Sequence, residues 1–384
     1  MIIMANWTAL QQMKPFLQEN WEKSGFTEAT LIQKQTVPLI LAGKDVIAES
    51  PTGTGKTLAY IIPILERLNE DKKDIQAVIL VPSRELAMQI LDEVRKFTKG
   101  TEIVSYSFIG GANIKKQVES LKNRPQIVIG TTGRMYELIK MKKMKMHEVR
   151  TVVIDEADRL LSQEHLAEVK NIIHSTLRDR QLLVFSATIT KETEEIARDL
   201  MNHPEMIRIQ TQPNDATIQH LYLTCEQREK IDLLRKIMHT NPGRTIAFFK
   251  NTVKVEEAAE KLTYHGLKLA VLTSEGNKME RKTALTQFRS GATPLLLTTD
   301  VAARGLDIPD IATVIHVDFP STEGQYLHRS GRTGRMGKTG TVISLVNARE
   351  ESFLKKMSKE LNVKISRKEL YKGKMVDVKK NPHK

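Results

Sequence analysis

The stretch that decides the fold is Ser50-Pro51-Thr52-Gly53-Thr54-Gly55-Lys56-Thr57 (SPTGTGKT). It follows a short apolar run, Asp45–Ala48 (DVIA), and precedes Leu58–Leu68 (LAYIIPILERL), which reads as a helix. A strand that turns through two glycines into a helix is a phosphate-binding loop. Gly53 and Gly55 let backbone N–H groups approach phosphate oxygens with no Cβ in the way. Lys56 is placed to reach the β- and γ-phosphates, and the Thr57 hydroxyl to complete the shell of a Mg2+ ion. The helix adds the positive end of its dipole. Ser50 stands where the strict pattern has glycine, but strand, loop and helix come in the required order. The whole set Ser50, Pro51, Thr52, Gly53, Thr54, Gly55, Lys56 and Thr57 is therefore the expected nucleotide-binding loop. A chance Gly-Thr turn is the bland alternative.

Working outward, short Leu-rich or β-branched runs recur on both sides. In the first half they are Ala77–Val81, Ile103–Ile109, Gln126–Gly130, Thr151–Asp155 and Gln181–Phe185. Several are apolar at every position rather than alternating, as expected of strands buried on both faces of a parallel sheet. Ser83–Phe97 reads as an intervening helix. The same rhythm restarts in Thr245–Phe249, Leu267–Leu272, Pro294–Asp300, Thr313–Phe319 and Thr341–Val346. Gln210–Thr217 (QTQPNDAT) is polar, contains Pro and Asn-Asp, and reads as a linker. The expected organisation is α/β: a domain over 1–209, a linker over 210–217, a second domain over 218–354 and a basic tail over 355–384.

The 384 residues suffice for two cores, and 40% hydrophobic with 27% charged residues is a globular profile. A net charge of +13 suits a polyanionic partner. The last 30 residues hold 11 Lys or Arg against 3 Asp or Glu. That segment reads either as a solvated, partly disordered tail or as a non-specific arm for phosphates. Lys140–Arg150 (KMKKMKMHEVR) reads either as a solvated basic helix or as a weak nucleic-acid patch. Cys225 is the single cysteine, so neither an internal disulfide nor a thiolate metal cluster is open to the chain. Neither a signal peptide nor an apolar run of spanning length is legible, and a cytoplasmic protein away from membranes is the expectation.

Two further segments carry chemistry. Thr151–Asp158 (TVVIDEAD) puts two acids at the end of an apolar strand. Asp155 would hold Mg2+, largely through water, and Glu156 would orient and deprotonate an attacking water. Successive strand residues point to opposite sides, so the two acids do different jobs. His328–Arg335 (HRSGRTGR) places Arg332 and Arg335 three residues apart. Such guanidinium forks suit a transferring phosphoryl group, with a basic helix surface as the alternative.

These segments together resemble the DEAD-box RNA helicases of helicase superfamily 2. The tetrad is Asp155-Glu156-Ala157-Asp158, and the other motifs come in order. They are Gly25–Gln33 with an upstream aromatic at Trp7, Ser50–Thr57, Pro82–Leu86, Gly110-Gly111, Thr131–Arg134, Ser186–Thr188, Thr298–Asp307 and His328–Arg335. The resemblance implies two tandem RecA-like domains, each a mostly parallel sheet flanked by helices, and an RNA-stimulated ATPase using ATP and Mg2+. It implies that Gln33 reads adenine, an apt role for a carboxamide that both donates and accepts, and that Trp7 helps enclose the base. By the same resemblance Lys56, Asp155, Glu156, Arg332 and Arg335 are catalytic, and Asp307 contacts the ribose. The resemblance further implies a coupling set: Ser186 and Thr188 hydrogen-bond the acids of the tetrad, with Asp158 as the partner, and His328 links nucleotide to RNA. Arg84, Gly111, Thr131, Arg134, Arg281 and Thr299 contact the RNA backbone, with no strong sequence preference.

Four departures stand out. Ala29-Thr30 replaces the family's usual Pro-Thr, Thr132 a usual Pro, and Ser330 a common Ile. Within Ser274–Lys282, Lys278 replaces a Gln and Thr273-Ser274 the usual His-Gly, which makes Lys278 a candidate phosphate contact. The expected activity is ATP-driven, local and non-processive unwinding of short RNA duplexes, or remodelling of RNA–protein complexes, by a monomer, with ribosome assembly as the expected process and ribosomal particles among the expected partners. An ATP-gated RNA clamp and a DNA-directed relative are the rivals.

Overall fold

The computed structural model describes residues 8–209, 218–240, 243–273, 275–303, 308, 310–334, 338–371 and 373–378. The chain divides into two compact units, Met1–Thr211 and Gln212–Lys384. The expected linker, 210–217, lies outside the described residues.

The first unit is built on seven strands: β1 (Val46–Glu49), β2 (Ala77–Val81), β3 (Ser105–Phe108), β4 (Ile127–Thr131), β5 (Thr151–Asp155), β6 (Gln181–Ser186) and β7 (Glu205–Arg208). Their order is β3-β4-β2-β5-β6-β1-β7, and every pair is parallel. Alternate residues of each strand feed two separate apolar clusters. Val46, Ala48, Ile79, Val153 and Phe185 meet the helices Pro15–Lys23, Leu31–Leu41, Lys56–Arg67 and Arg84–Phe97. Ile47, Val78, Val152, Ile154 and Val184 meet the helices on the other face. This two-sided burial is why the strands read as continuous apolar runs. The buried carboxylate of Asp45 stitches the edge by accepting from Leu182 N and Asn202 N, both at 2.8 Å.

The second unit contains β8 (Ile218–Thr224), β9 (Thr245–Phe249), β10 (Leu269–Leu272), β11 (Leu295–Thr299), β12 (Thr313–His316), β13 (Gly340–Val346), β14 (Ile365–Tyr371) and β15 (Lys374–Asp377). The order is β10-β11-β9-β12-β13-β8-β14-β15, parallel except for the β14–β15 pair. Each unit is thus an α/β layer structure with a mostly parallel sheet flanked by helices.

Two expectations change. The basic tail is not merely a solvated arm: Ile365–Tyr371 and Lys374–Asp377 are strands that extend the second sheet, and Leu370 and Met375 pack on its apolar cluster. The 141–150 stretch is not a helix. The helix Thr132–Lys140 ends before it, and Met144 and Met146 are buried in the first unit's core. The two methionines anchor an irregular segment whose lysines face outward.

Candidate functional site

The carboxyl ends of β1, β6 and β5 lie side by side and carry, in that order, the phosphate loop, the Ser186–Thr188 segment and the acidic tetrad. Gly53 and Gly55 have φ of +80° and +91°, a left-handed conformation that glycine adopts without strain. A Cβ on Gly55 would come within 2.6 Å of Gln33 Nε2. Lys56 opens the following helix, and its ammonium donates to the loop carbonyls of Ser50 and, at 2.8 Å, Pro51. The Thr54 hydroxyl bonds to Ser50 Oγ at 2.7 Å and to Pro51 O at 2.8 Å. These bonds hold the loop in a preformed curl.

Gln33 is buried, as the third residue of its helix. Its Oε1 accepts from Thr30 N at 2.9 Å, closing a capping box, and its Nε2 donates to Gly55 O at 3.2 Å. The Thr30 of the Ala29-Thr30 departure thus keeps its capping role, and the glutamine expected to read adenine is itself bonded to the phosphate loop.

Asp155 ends β5 and is buried. Its Oδ2 accepts from the Tyr60 hydroxyl at 2.9 Å and its Oδ1 from Glu156 N at 2.9 Å. Burial pushes its carboxyl above the ordinary range, opposed by the Lys56 ammonium and the Tyr60 hydroxyl. Burial, and then Asp155 itself, pushes the Tyr60 phenol well above its usual value, so it stays protonated and donating. Tyr60 sits four residues after Lys56, on the same helix face. Sequence reasoning missed it. Its one signal was an aromatic hydroxyl inside an otherwise aliphatic run.

Glu156 follows with φ 52° and ψ 52°. A left-handed glutamate is uncommon and costs on the order of 1–2 kcal/mol. Here it turns the chain from β5 into the short helix Ala157–Leu160, separating Glu156 from Asp155. Ser186, fully buried at the end of β6, joins the two neighbouring motifs. Its carbonyl accepts from Ser50 N at 3.1 Å, and its hydroxyl donates to Asp158 Oδ1 at 2.6 Å. Thr188 enters through its backbone N–H, 3.4 Å from Ser186 Oγ.

A second cluster lies at the ends of β2, β4 and β3. Arg84 opens the helix after β2, and its guanidinium covers Gly111, where a Cβ would come within 2.4 Å. Gly110 N donates to Thr131 Oγ1 at 3.3 Å. Arg134 donates to Ala112 O at 3.1 Å and to Glu137 at 2.9 Å. Arg84, Gly111, Thr131 and Arg134 are therefore one surface. The departure at Thr132 has a physical account: its buried hydroxyl donates to Glu168 Oε2 at 2.6 Å, tying two helices that a proline could not bond.

In the second unit, Thr299 ends β11 and its hydroxyl accepts from Ala302 N at 3.4 Å. Arg281 donates to Thr273 O at 2.6 Å, and Asn277 caps the helix that Lys278 begins. His328 lies on the helix Glu323–Ser330, and Arg332 follows it. The residue between them was not foreseen. Arg329 is buried and makes a two-pronged pair with Asp300 at 2.7 and 2.6 Å. It also donates to Asp318 O at 2.6 Å, over the Phe248 ring. Trp7, Asp307 and Arg335 lie outside the described residues.

Among the described residues no cluster of three or more His, Cys, Asp or Glu is arranged to hold a metal by itself, and no helix is long and apolar enough to cross a membrane. The first unit does offer hard oxygen donors of the kind that suit Mg2+, a hydroxyl at Thr57 and a carboxylate at Asp155.

Comparison with known proteins gives the family of the chain. The DEAD/DEAH box helicase model matches residues 30–196, and the helicase conserved C-terminal domain model matches residues 229–337. The DEAD-box ATP-dependent RNA helicase CshC of Bacillus cereus is 50% identical over 96% of this chain and 95% of its own. The probable ATP-dependent RNA helicase YfmL of Bacillus subtilis is 53% identical over 94% of this chain and 96% of its own. Among solved structures, S. cerevisiae Dbp5 bound to RNA and ADP BeF3 superposes with a TM-score of 0.85 at 29% identity, covering 94% of this chain and 95% of that one. Mss116p bound to single-stranded RNA and AMP-PNP gives 0.84 at 26% identity, covering 95% and 79%.

Proposed function

Because this chain belongs to the DEAD-box ATP-dependent RNA helicases, which are RNA-stimulated ATPases, we propose that it couples ATP hydrolysis to local, non-processive opening of short RNA duplexes. The observation that carries the reading is Ser186, which is bonded at once to the phosphate loop through Ser50 and to the acidic tetrad through Asp158. A change at the γ-phosphate has a short route through it to the rest of the sheet end.

In this reading Lys56 and the loop amides bind the phosphates, and Gln33 and Trp7 recognise the base. Glu156 takes the proton of the attacking water. Thr57 and, through water, Asp155 would hold Mg2+, whose bound form supplies charge neutralisation for the triphosphate. Asp307, Arg332 and Arg335 belong to the second unit, so hydrolysis requires both units. Because both ATP and RNA draw on residues of both units, each strengthens binding of the other. Arg84, Gly111, Thr131, Arg134, Arg281 and Thr299 grip backbone and sugar without reading bases. Contacts to 2′-hydroxyls favour RNA over DNA. We place the enzyme in the cytoplasm, as a monomer, with ribosome assembly as its process.

Glu156→Gln tests this reading. It is expected to lower kcat of the RNA-stimulated ATPase by at least about 100-fold, while RNA retention in the presence of ATP persists. Loss of ATP-dependent RNA binding in that variant would remove Glu156 from the role of base. A short-duplex unwinding assay run beside the retention assay separates a helicase from a clamp.

A further inference from the structure

The last two described strands carry a surface that the ATPase and the RNA contacts above do not use. Strand β14 pairs with β8 only from Ile365 to Arg367. Beyond that point β14 and β15 pair only with each other, Lys368↔Asp377 to Tyr371↔Lys374, as a two-stranded arm. The arm's two faces differ. Leu370 and Met375 pack on the second unit's core and fix its direction. The opposite face carries Arg367, Glu369, Tyr371, Lys374 and Val376, all exposed, with Tyr371 at 61% and directly across from Lys374. Leucine and methionine anchor the inner face, and the tyrosine stands on the opposite, exposed face.

The tip sequence is Tyr371-Lys372-Gly373-Lys374, and Gly373, with φ +76°, makes the tight turn. From Arg367 to Lys374 the sequence has four Lys or Arg and one acid. Lys368 is paired with Asp377, whereas Lys374 has no ion-pair partner among the described residues. An exposed aromatic ring on a paired strand, flanked by cations, is the equipment that binds single-stranded nucleic acid: the ring stacks a base and the cations take phosphates. A peptide adding as a further strand is a poorer fit, because β15 has four residues and begins and ends in charge.

Strands β14, β8, β13, β12, β9 and β11 all run parallel, so the arm tip points to the same end of the sheet as Thr299. Strand β14 stands five positions from β11, about 24 Å at ordinary strand spacing. We propose that this arm, with Tyr371, Arg367 and Lys374, is a second single-strand RNA contact that holds the substrate outside the core footprint. The proposal rests on RNA being the substrate and adds a place where longer strands are tethered.

The test measures binding of fluorescent single-stranded RNA by anisotropy, using the full chain and the double variant Tyr371→Ala/Lys374→Ala, with oligonucleotides of about 10 and about 40 nucleotides. The expected result is an affinity for the longer RNA reduced about tenfold, with a salt slope shallower by about one. Affinity for the shorter RNA and kcat at saturating RNA stay unchanged. Tyr371→Phe, which keeps the stacking ring, restores the tyrosine's share. Unchanged affinity for the longer RNA overturns the proposal. Equal losses on both lengths also overturn it, since they report damage to the domain. Failure of the underlying reading is separately visible, as an ATPase of the unaltered chain that neither RNA stimulates.

Discussion

Ser186 shows how much one hydroxyl does at the end of a central strand. Its hydroxyl donates to the Asp158 carboxylate and lies 3.4 Å from the Thr188 and Asp158 N–H groups, while its backbone carbonyl accepts from Ser50 N. Hydrogen bonds to charged groups contribute roughly 1.5–3 kcal/mol, enough to hold the Asp158 loop in step with the phosphate loop. Ser186→Ala is therefore expected to lower duplex opening per ATP hydrolysed by about tenfold while leaving ATP binding near normal. Parallel unwinding and ATPase assays read this, and an equal fall in both rates would remove Ser186 from coupling. Tyr60 does comparable work for Asp155. It holds one carboxylate oxygen in a buried setting where an unpaired charge would instead take up a proton. The Ser186–Asp158 bond is the one the family resemblance implies, whereas Tyr60 and Asp155, 95 residues apart, left no sign of theirs in the chain.

At the scale of elements, the helix Glu323–Ser330 carries His328 and leads to Arg332, so its seat determines where those groups stand. The seat is the Asp300–Arg329 pair, reinforced by Gln325, whose Nε2 donates to Asp300 Oδ2. Removing one partner of a buried pair leaves an uncompensated charge and costs about 3–5 kcal/mol. Arg329→Ala is expected to destabilise the second unit by that amount in urea unfolding. Arg329→Lys keeps the charge but not the two-pronged geometry, and should fall between. A variant as stable as the unaltered protein would show that the helix is seated by its apolar contacts alone. The first unit solves a similar problem with smaller parts: Thr132 and Glu168 join two helices, and the Arg84 guanidinium rests on a glycine too small to push it away.

For the molecule as a whole, the second unit buries imidazoles that the chemistry does not use. His220 on β8 bonds to the Tyr326 hydroxyl at 2.8 Å, and burial lowers its pKa to about 4. His316 on β12 bonds to Ser344 Oγ at 3.1 Å and is held well below the usual histidine value by burial and by Arg329. A histidine whose folded pKa lies below its unfolded one binds fewer protons in the native state. Its contribution is then fully present above about pH 6.5 and is lost as pH falls toward the folded pKa. For His220 the window runs down to about 4, and the contribution is on the order of 3 kcal/mol. The urea midpoint of the second unit is expected to drop between about pH 7.5 and about pH 5, with the His220 ring resonances still those of the neutral form. A ring that titrates near its ordinary value would refute this.

The sequence by itself determined the layer architecture and the chemistry of the loop. Strands buried on both faces must be apolar at every position, and a phosphate loop must pass from strand through glycine to helix, so both leave local signatures. Polar and basic strands at the sheet edges left none. Glu205–Arg208, Ile365–Tyr371 and Lys374–Asp377 become strands because a neighbour offers them a ladder, not because of their own periodicity. The bonds that join motifs were equally silent. Tyr60 to Asp155 and Arg329 to Asp300 depend on which strand ends lie side by side, and strand order is decided only when the tertiary structure closes; Ser186 to Asp158 was reached only through the family resemblance.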